Sequence, residues 1–161
     1  MAAYALARRA LGNLRHLLIR RGLYTEPRPA TERRSLFVRH FAGGSSGDCE
    51  IEIANLFGPV YDAERFGIRL VASPRHADAL LVTGPLTRRL RSALILTFEA
   101  MPDPRRIVLI GNGALGIGVF KDSPDIIGLP PELAPYVVAR VPGDPPSAQT
   151  ILDALLQLPF R

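Results

Sequence analysis

The sequence predicts a three-layer α/β domain with a mostly parallel sheet, preceded by a basic amphipathic helix. Short apolar runs of strand length alternate with helical patterns from residue 35 onward. The 161 residues are 47% hydrophobic, which is enough to bury the core of one compact domain. Because strands that alternate with helices are joined by crossovers, their sheet is expected to be mostly parallel.

The N-terminal segment, residues 1–24, has the pattern of an amphipathic helix. Apolar residues recur at spacings of three and four, at Tyr4, Ala7, Leu11, Leu14 and Leu18. Arginines lie largely off this stripe, at Arg8, Arg9, Arg15 and Arg20. Residues 25–34 contain Pro27 and Pro29 and form a predicted linker, so the globular domain is expected to span residues 35–161.

The positive charge of the chain belongs to this N-terminal arm. Residues 1–39 hold nine arginines against Glu26 and Glu32, a net of +7, so the remainder carries about −2 of the total of +5. We expect the helix to dock on a protein partner. Binding to anionic lipid headgroups and a role as a transit-type leader are the alternatives.

The elements of the domain follow from its apolar periodicity. Predicted strands are residues 36–41, 68–72, 79–83, 107–111 and 136–141. Predicted helices are residues 48–57, 87–100 and 147–158, with Ser147 as an N-cap. Ligands of such sheets bind beyond the carboxyl ends of the strands, at the switch in strand order. The loops 43–49, 84–88, 111–120 and 142–146 are therefore the candidate site.

Composition excludes several classes of site. The single Cys49 rules out a disulfide within the chain and a metal cage made only of its cysteines. No run of about 18 apolar residues is present to span a bilayer. Arg88, Arg89 and Arg91 lack aromatic neighbours and any nucleic-acid motif, so no nucleic-acid partner is expected. We find no Ser-His-Asp set and no metal-ligand spacing among the histidines.

Several segments together resemble one family. Residues 44–52, GSSGDCEIE, resemble the motif Gly-x-Cys-x-x-Cys-(Asp/Glu)-x-Glu of the complex I 20 kDa subunit and of membrane-bound (group 4) nickel-iron hydrogenase small subunits. The similarity, especially to the formate hydrogenlyase branch, continues through residues 61–68, 73–84, 99–104, 116–120 and 141–146. It covers roughly residues 36–158 and implies a flavodoxin-like fold.

Members of this family bind a four-iron four-sulfur cluster through four cysteines. By the resemblance, Cys49 keeps the second ligand position, whereas Ser46, Gly113 and Asp144 stand at the first, third and fourth. A cluster needs soft thiolates, and glycine offers no side chain. We therefore expect no cofactor and no metal. The alternative is a four-iron four-sulfur cluster at an atypical site.

The resemblance implies that the chain is a subunit of a larger assembly. We expect a cluster-less small subunit with a structural or coupling role, peripheral at the cytoplasmic face of the inner membrane. Its implied partners are a hydrogenase-like or complex I-like large subunit and membrane subunits, with an anionic membrane surface as a further candidate. The alternative is an electron-transferring oxidoreductase subunit. A small-molecule module using the glycine-rich loop is the third class, although no P-loop Lys-Ser or Lys-Thr pair follows.

Residues near the former ligand positions have two interpretations each. Glu50 and Glu52 could handle protons beside the large subunit, but we expect them to cap a helix N-terminus. Arg75 and His76 could form a proton relay or an interface, but we expect a structural network. Cys49 could be a surviving metal ligand or a thiol of lowered pKa, but we expect a small residue filling the pocket.

Loss of a cluster leaves a hole that a stable protein fills or hydrates. We expect Leu115 and Ile117 to collapse into it. Asp144 is expected to be buried there, and a buried carboxylate needs hydrogen bonds from loop amides or Ser46, or an arginine in reach.

Overall fold

The computed structural model describes residues 35–44 and 47–160. These residues form the strands β1 (Leu36–Ala42), β2 (Ile68–Leu70), β3 (Ala79–Thr83), β4 (Ile107–Ile110) and β5 (Val137–Val141). The helices are α1 (Asp48–Leu56), α2 (Arg91–Glu99), α3 (Gly111–Ala114) and α4 (Ala148–Leu156). The predicted N-terminal helix, the linker and Ser46 lie outside the described residues, so those predictions stand as they are.

The strands form one fully parallel sheet in the order β2-β1-β3-β4-β5. This is the flavodoxin-like order, and its switch point lies between β1 and β3. The pairs Ala42 with Thr83, Thr83 with Ile110, and Ile110 with Val141 lie side by side. Four strands therefore end level at one edge of the sheet, and the loops that follow them meet there.

Two apolar layers enclose the sheet. On one face, side chains of α1 and α4, including Ile53 and Ile151, pack against strand residues such as Leu81. On the other face, Leu94 and Phe98 of α2 pack against alternate strand residues. Successive side chains of a strand point to opposite faces, so β3 and β4 supply both layers and are buried throughout. The predicted three-layer α/β fold is confirmed.

Element ends differ from the prediction by small amounts. The helix predicted to begin at residue 87 begins at Arg91, because Arg88–Leu90 form a 3-10 turn ahead of it. The predicted strand 68–72 ends at Leu70. Ser147 is the N-cap of α4, and its hydroxyl accepts a hydrogen bond from the Thr150 amide.

Within residues 35–44 and 47–160, none of the helices combines the length and the apolar composition needed to cross a bilayer.

Candidate functional site at the carboxyl edge of the sheet

A cavity of about 250 Å³ opens at the carboxyl ends of the strands. The first turn of α1, which follows β1, and the segments that follow β3, β4 and β5 line it, and its lining residues include Cys49, Gly113 and Asp144. Three of the four positions compared with cluster ligands in the sequence therefore meet around one cavity. The parallel register causes this meeting, because residues far apart in sequence follow strands that end at the same edge.

Cys49 lies in the first turn of α1 and is only 3% exposed. Burial is the largest cause that raises the pKa of its thiol to about 12, and the carboxylates of Asp48, Glu50 and Asp144 contribute to this rise by disfavouring a further negative charge. The interpretation of Cys49 as a thiol activated by a helix N-terminus is therefore wrong. Desolvation and neighbouring acids outweigh the helix dipole at this position.

Two glycines after β4 hold the backbone close to its neighbours. Gly111 has a φ of +88°, and a Cβ built on it would lie 2.5 Å from the Cys49 sulfur. There is no space for a Cβ at Gly113 either, since that atom would lie 2.8 Å from Pro85 Cδ and 2.9 Å from Pro85 N. The position that the resemblance equates with the third cysteine is thus packed against the loop after β3.

Asn112 connects two of the loops. Its amide donates to the Gly143 carbonyl at 2.8 Å, and its side-chain Oδ1 accepts from the Gly143 amide at 3.0 Å. Its own carbonyl accepts from the amides of Ile117 and Gly118 at 3.0 and 3.1 Å. Sequence reasoning missed Asn112, although an Asn between two glycines after a strand is a composition typical of a shaped loop.

Two expectations about the filling of the cavity are wrong. Asp144 is exposed rather than buried, because the loop carrying it stays at the rim, and no hydrogen bond to it is found within the described residues. Ile117 is 61% exposed instead of collapsing inward. Leu115 is half-buried and packs against the apolar layer that contains α2. The side chains at the cavity wall are instead those of Val119, Phe120, Lys121 and Ile126.

Beside Cys49, a chain of polar side chains crosses from β1 to α1. The buried Thr83 hydroxyl donates to Glu50 Oε1 at 2.5 Å. Its oxygen lies 2.8 Å from His40 Nε2, and because its one proton is committed to Glu50, His40 must donate through Nε2. Desolvation lowers the pKa of His40; Glu50, 3.6 Å away, opposes that shift and Arg39 adds to it.

The two acids that follow Cys49, Glu50 and Glu52, contact different parts of the fold. Glu52 Oε2 accepts a hydrogen bond of 2.8 Å from the Ala148 amide, so it caps the N-terminus of α4 rather than that of its own helix. Glu50 instead accepts a hydrogen bond from the Thr83 hydroxyl. Because the two residues are two positions apart on α1, their side chains lie on opposite sides of the helix, one towards the sheet and one towards α4.

Arg75 and His76 do not join this site. They lie in the 3-10 turn Pro74–His76, before the amino end of β3, and both are exposed. The structural network expected around them stays a prediction. The nearby Asp78 is buried and accepts from the Phe37 amide at 2.8 Å. That acid ties β1 to the segment before β3. A role for Arg75 and His76 at an interface remains a prediction.

A four-iron four-sulfur cluster does not fit the residues present. Such a cluster takes four ligands, mainly thiolates, whereas the whole sequence has one cysteine. Gly113 has neither a side chain nor the space for one. Within the described residues, no group of three or more His, Cys, Asp and Glu side chains is placed to hold a metal ion.

Comparison with known proteins identifies the family of the chain. Residues 47–158 match the family described as the 20 kDa subunit of NADH ubiquinone oxidoreductase. The chain belongs to this family. The match begins just before α1 and ends after α4, so it includes the loops after β3, β4 and β5.

Relatives in this 20 kDa subunit family include proteins named as hydrogenase subunits. The chain is 44% identical over 123 residues to the probable membrane-bound hydrogenase subunit mbhJ of Pyrococcus furiosus, covering 76% of this chain and 73% of that one. It is 41% identical over 122 residues to formate hydrogenlyase subunit 7 of Escherichia coli, covering 74% of this chain. The matched region is about half, 47%, of that longer relative.

A solved structure shares the fold of this family member. It is a chain in the structure of the membrane-bound sulfane sulfur reductase, an archaeal respiratory membrane complex. The two chains superpose with a TM-score of 0.64 at 29% sequence identity, covering 79% of this chain and 71% of the other.

Proposed function

We propose that the chain is a cluster-free small subunit of a membrane-associated complex related to complex I and the energy-converting hydrogenases. Its role is structural or coupling, between a large subunit of the peripheral arm and the ion-translocating membrane arm. It is peripheral at the cytoplasmic face of the inner membrane. Membership of a complex is supported by the relatives, whose names place them in membrane-bound hydrogenase, formate hydrogenlyase and sulfane sulfur reductase assemblies.

The observation that supports a cluster-free subunit is the close packing of the backbone at Gly113. Its backbone packs so closely against Pro85 that even a Cβ would meet Pro85 atoms at 2.8–2.9 Å. A ligand-bearing side chain there requires a shift of the loop, not only a change of residue. Electron transfer needs a carrier, and a single cysteine cannot by itself hold a cluster of this kind.

An electron-transferring subunit with an atypical cluster is the second candidate. The observation in its favour is that Cys49 and Asp144, which the resemblance equates with two ligand positions, line one cavity. A thiolate and a carboxylate supply two ligands, so further ligands would have to come from Ser46 or from another chain.

The test is iron and acid-labile sulfide analysis of the full chain, expressed and purified anaerobically with excess iron, sulfide and reductant. We expect less than about one iron in ten chains and no broad absorbance near 400 nm. The Cys49→Ala variant is the control and should give the same residual iron. Four iron atoms with matching sulfide, lost in Cys49→Ala, would establish the second candidate instead.

Subunit membership is tested separately, by purifying the affinity-tagged full chain from membranes of its own host. Stoichiometric co-purification of a hydrogenase-like large subunit and membrane subunits is the expected result. A chain recovered alone from every membrane and soluble fraction would be incompatible with the proposed role.

A further inference from the structure

The strand β5 forms one edge of the sheet and exposes apolar side chains there. It pairs with β4 on one side, and no other strand of the described residues pairs with its outer side. Val138 is 47% exposed, and Tyr136, just before the strand, is 41% exposed. The register with β4 shifts between Ile107 and Val108, so Val138 is an extra residue without a partner on β4. An edge with unpaired backbone groups and exposed apolar side chains is a surface on which another chain can pair.

A groove of about 520 Å³ lies beside this edge, between β5 and α4. Its apolar lining comes from buried and half-buried side chains, namely those of Ala139, Val141, Ala154 and Leu158. The exposed Val138 lines the same groove, so a protruding apolar side chain and a concavity share one surface. Two copies of such a surface can interlock across a two-fold axis, because each copy then presents its protruding side chain to the groove of the other.

The charged side chains that line this groove are one base and one acid, Arg140 on β5 and Asp153 on α4. Both are exposed, and neither forms an ion pair with any residue of the described part of the chain. Asp153 Oδ1 accepts a hydrogen bond of 2.8 Å from Gln149 Nε2, one turn earlier on α4. A carboxylate accepts several hydrogen bonds, so Asp153 can also accept from an arginine. A surface with one charge of each sign is complementary to a second copy of itself, because each base meets the acid of the other copy.

We propose that the surface formed by β5 and the facing side of α4 is the two-fold interface of a homodimer, in which the β5 strands lie edge to edge and Arg140 of each copy pairs with Asp153 of the other. A bulge and a charged side chain normally keep a sheet edge from pairing indiscriminately. Here Arg140 restricts pairing to a partner that places an acid opposite it, and a second copy supplies that acid. The groove and the cavity at the carboxyl ends of the strands share no lining residue, so the inference does not rest on the proposed function.

The test is the association state of the purified full chain, measured by sedimentation velocity from about 1 to 100 µM. We expect a dimer. Arg140→Glu turns each glutamate towards Asp153 of the other copy, and Asp153→Arg likewise opposes two arginines, so each single variant should weaken the dimer at least about 100-fold. Arg69→Glu is the matched control, because Arg69 is an exposed arginine on the opposite edge strand β2. It should dimerise like the unsubstituted chain.

A mixture of the two single variants tests whether the pairs form between copies. When an Arg140→Glu chain meets an Asp153→Arg chain, glutamate faces arginine at one end of the interface and Arg140 faces Asp153 at the other. The equimolar mixture should therefore dimerise although each variant alone does not. Native mass spectrometry, with one variant carrying a tag, should show the heterodimer. A pair formed within one chain cannot give this rescue, because each variant has lost it.

Three results would overturn the proposal. The first is an unsubstituted chain that stays monomeric at the highest concentration, and the second is a dimer that both single variants retain, because it uses another surface. The third is loss of the dimer in both variants without rescue in the mixture. Thermal unfolding of each variant checks that its fold is intact, and Val138→Asp, at an exposed position of the same edge, is a second route to the monomer. None of these results bears on subunit membership, which co-purification from host membranes tests.

Discussion

At the scale of single residues, the geometry of the site depends on a few close contacts, each of which requires one particular side chain. Gly111 and Cys49 are in contact, and a methyl group at Gly111 would overlap the sulfur. Thr83 uses its single hydroxyl to connect His40 with Glu50. None of these pairs is close in sequence. Each depends on β1, β3 and β4 ending at the same level.

Cys49 is expected to be an unreactive thiol. A pKa of about 12 leaves roughly one thiolate in ten thousand at pH 8, and only the thiolate attacks disulfides and maleimides. Labelling of the folded chain by Ellman's reagent at pH 8 should be at least about 100-fold slower than in 6 M guanidinium. The readout is unambiguous because the chain has one cysteine. Equal rates in the two conditions would show that the thiol is accessible and activated.

His40 is expected to make stability depend on pH. Its pKa is lowered in the fold, mainly by burial, so below about pH 6.5 the unfolded chain binds more protons than the folded one. The free energy of unfolding should therefore fall as the pH is lowered from 7.5 to 5.5. This contribution is complete above pH 6.5 and is lost as the pH falls towards the folded pKa.

The measurement is urea unfolding of the full chain at both pH values. His40→Gln keeps a donor for Thr83 and removes the titrating ring, so the loss of stability between pH 7.5 and 5.5 should be smaller in that variant. His76→Gln, at an exposed histidine, should retain the dependence of the unsubstituted chain. If both variants behave alike, His40 is not the group responsible.

At the scale of elements, the cap of α4 by Glu52 connects two helices on one face of the sheet. Glu52→Ala removes the acceptor of the Ala148 amide, and the unfolding free energy should fall by about 1–2 kcal/mol. Glu52→Gln retains an acceptor and should lose less. Glu64→Ala, at an exposed acid away from α4, should change stability by less than about 0.5 kcal/mol. Chemical denaturation at pH 7 measures the unfolding free energy of all three variants. Equal losses of stability in Glu52→Ala and Glu64→Ala would show that the cap of α4 does not stabilise the fold.

At the scale of the whole molecule, the predicted basic helix of residues 1–24 is expected to hold the chain to its partner rather than to lipid. Neutralising three of its arginines to glutamine should lower recovery of the complex at least about tenfold, at Arg8, Arg15 and Arg20. A charge-matched control carries three glutamines on the domain, at Arg69, Arg89 and Arg140. That control should recover the complex normally.

Vesicles containing phosphatidylserine separate the two interpretations of that helix. We expect weak vesicle binding that is similar for the unsubstituted chain and for both variants. Strong binding to the vesicles that is lost only with Arg8, Arg15 and Arg20 would assign the helix to the membrane surface, since each basic residue contributes about 1 kcal/mol there.

The sequence by itself determined the fold class, the five strands and the three main helices. These features depend on local sequence. Apolar runs such as residues 79–83 and 107–110 are long enough for buried strands. Ser147 has a hydroxyl that can cap the helix that follows it. The resemblance also singled out Cys49, Gly113 and Asp144, which the structure brings together around one cavity.

Only the tertiary structure decided what those residues do. Asp144 is at the rim instead of in the core, Glu52 reaches a helix 96 positions away, and the exposed side chains of Val119 and Phe120 form the cavity wall. Burial and hydrogen-bond partners depend on which loops meet in space, and the free energy of a carboxylate or thiol depends on those neighbours. A linear sequence fixes the residues that arrive at the edge of the sheet, but their distances arise from packing.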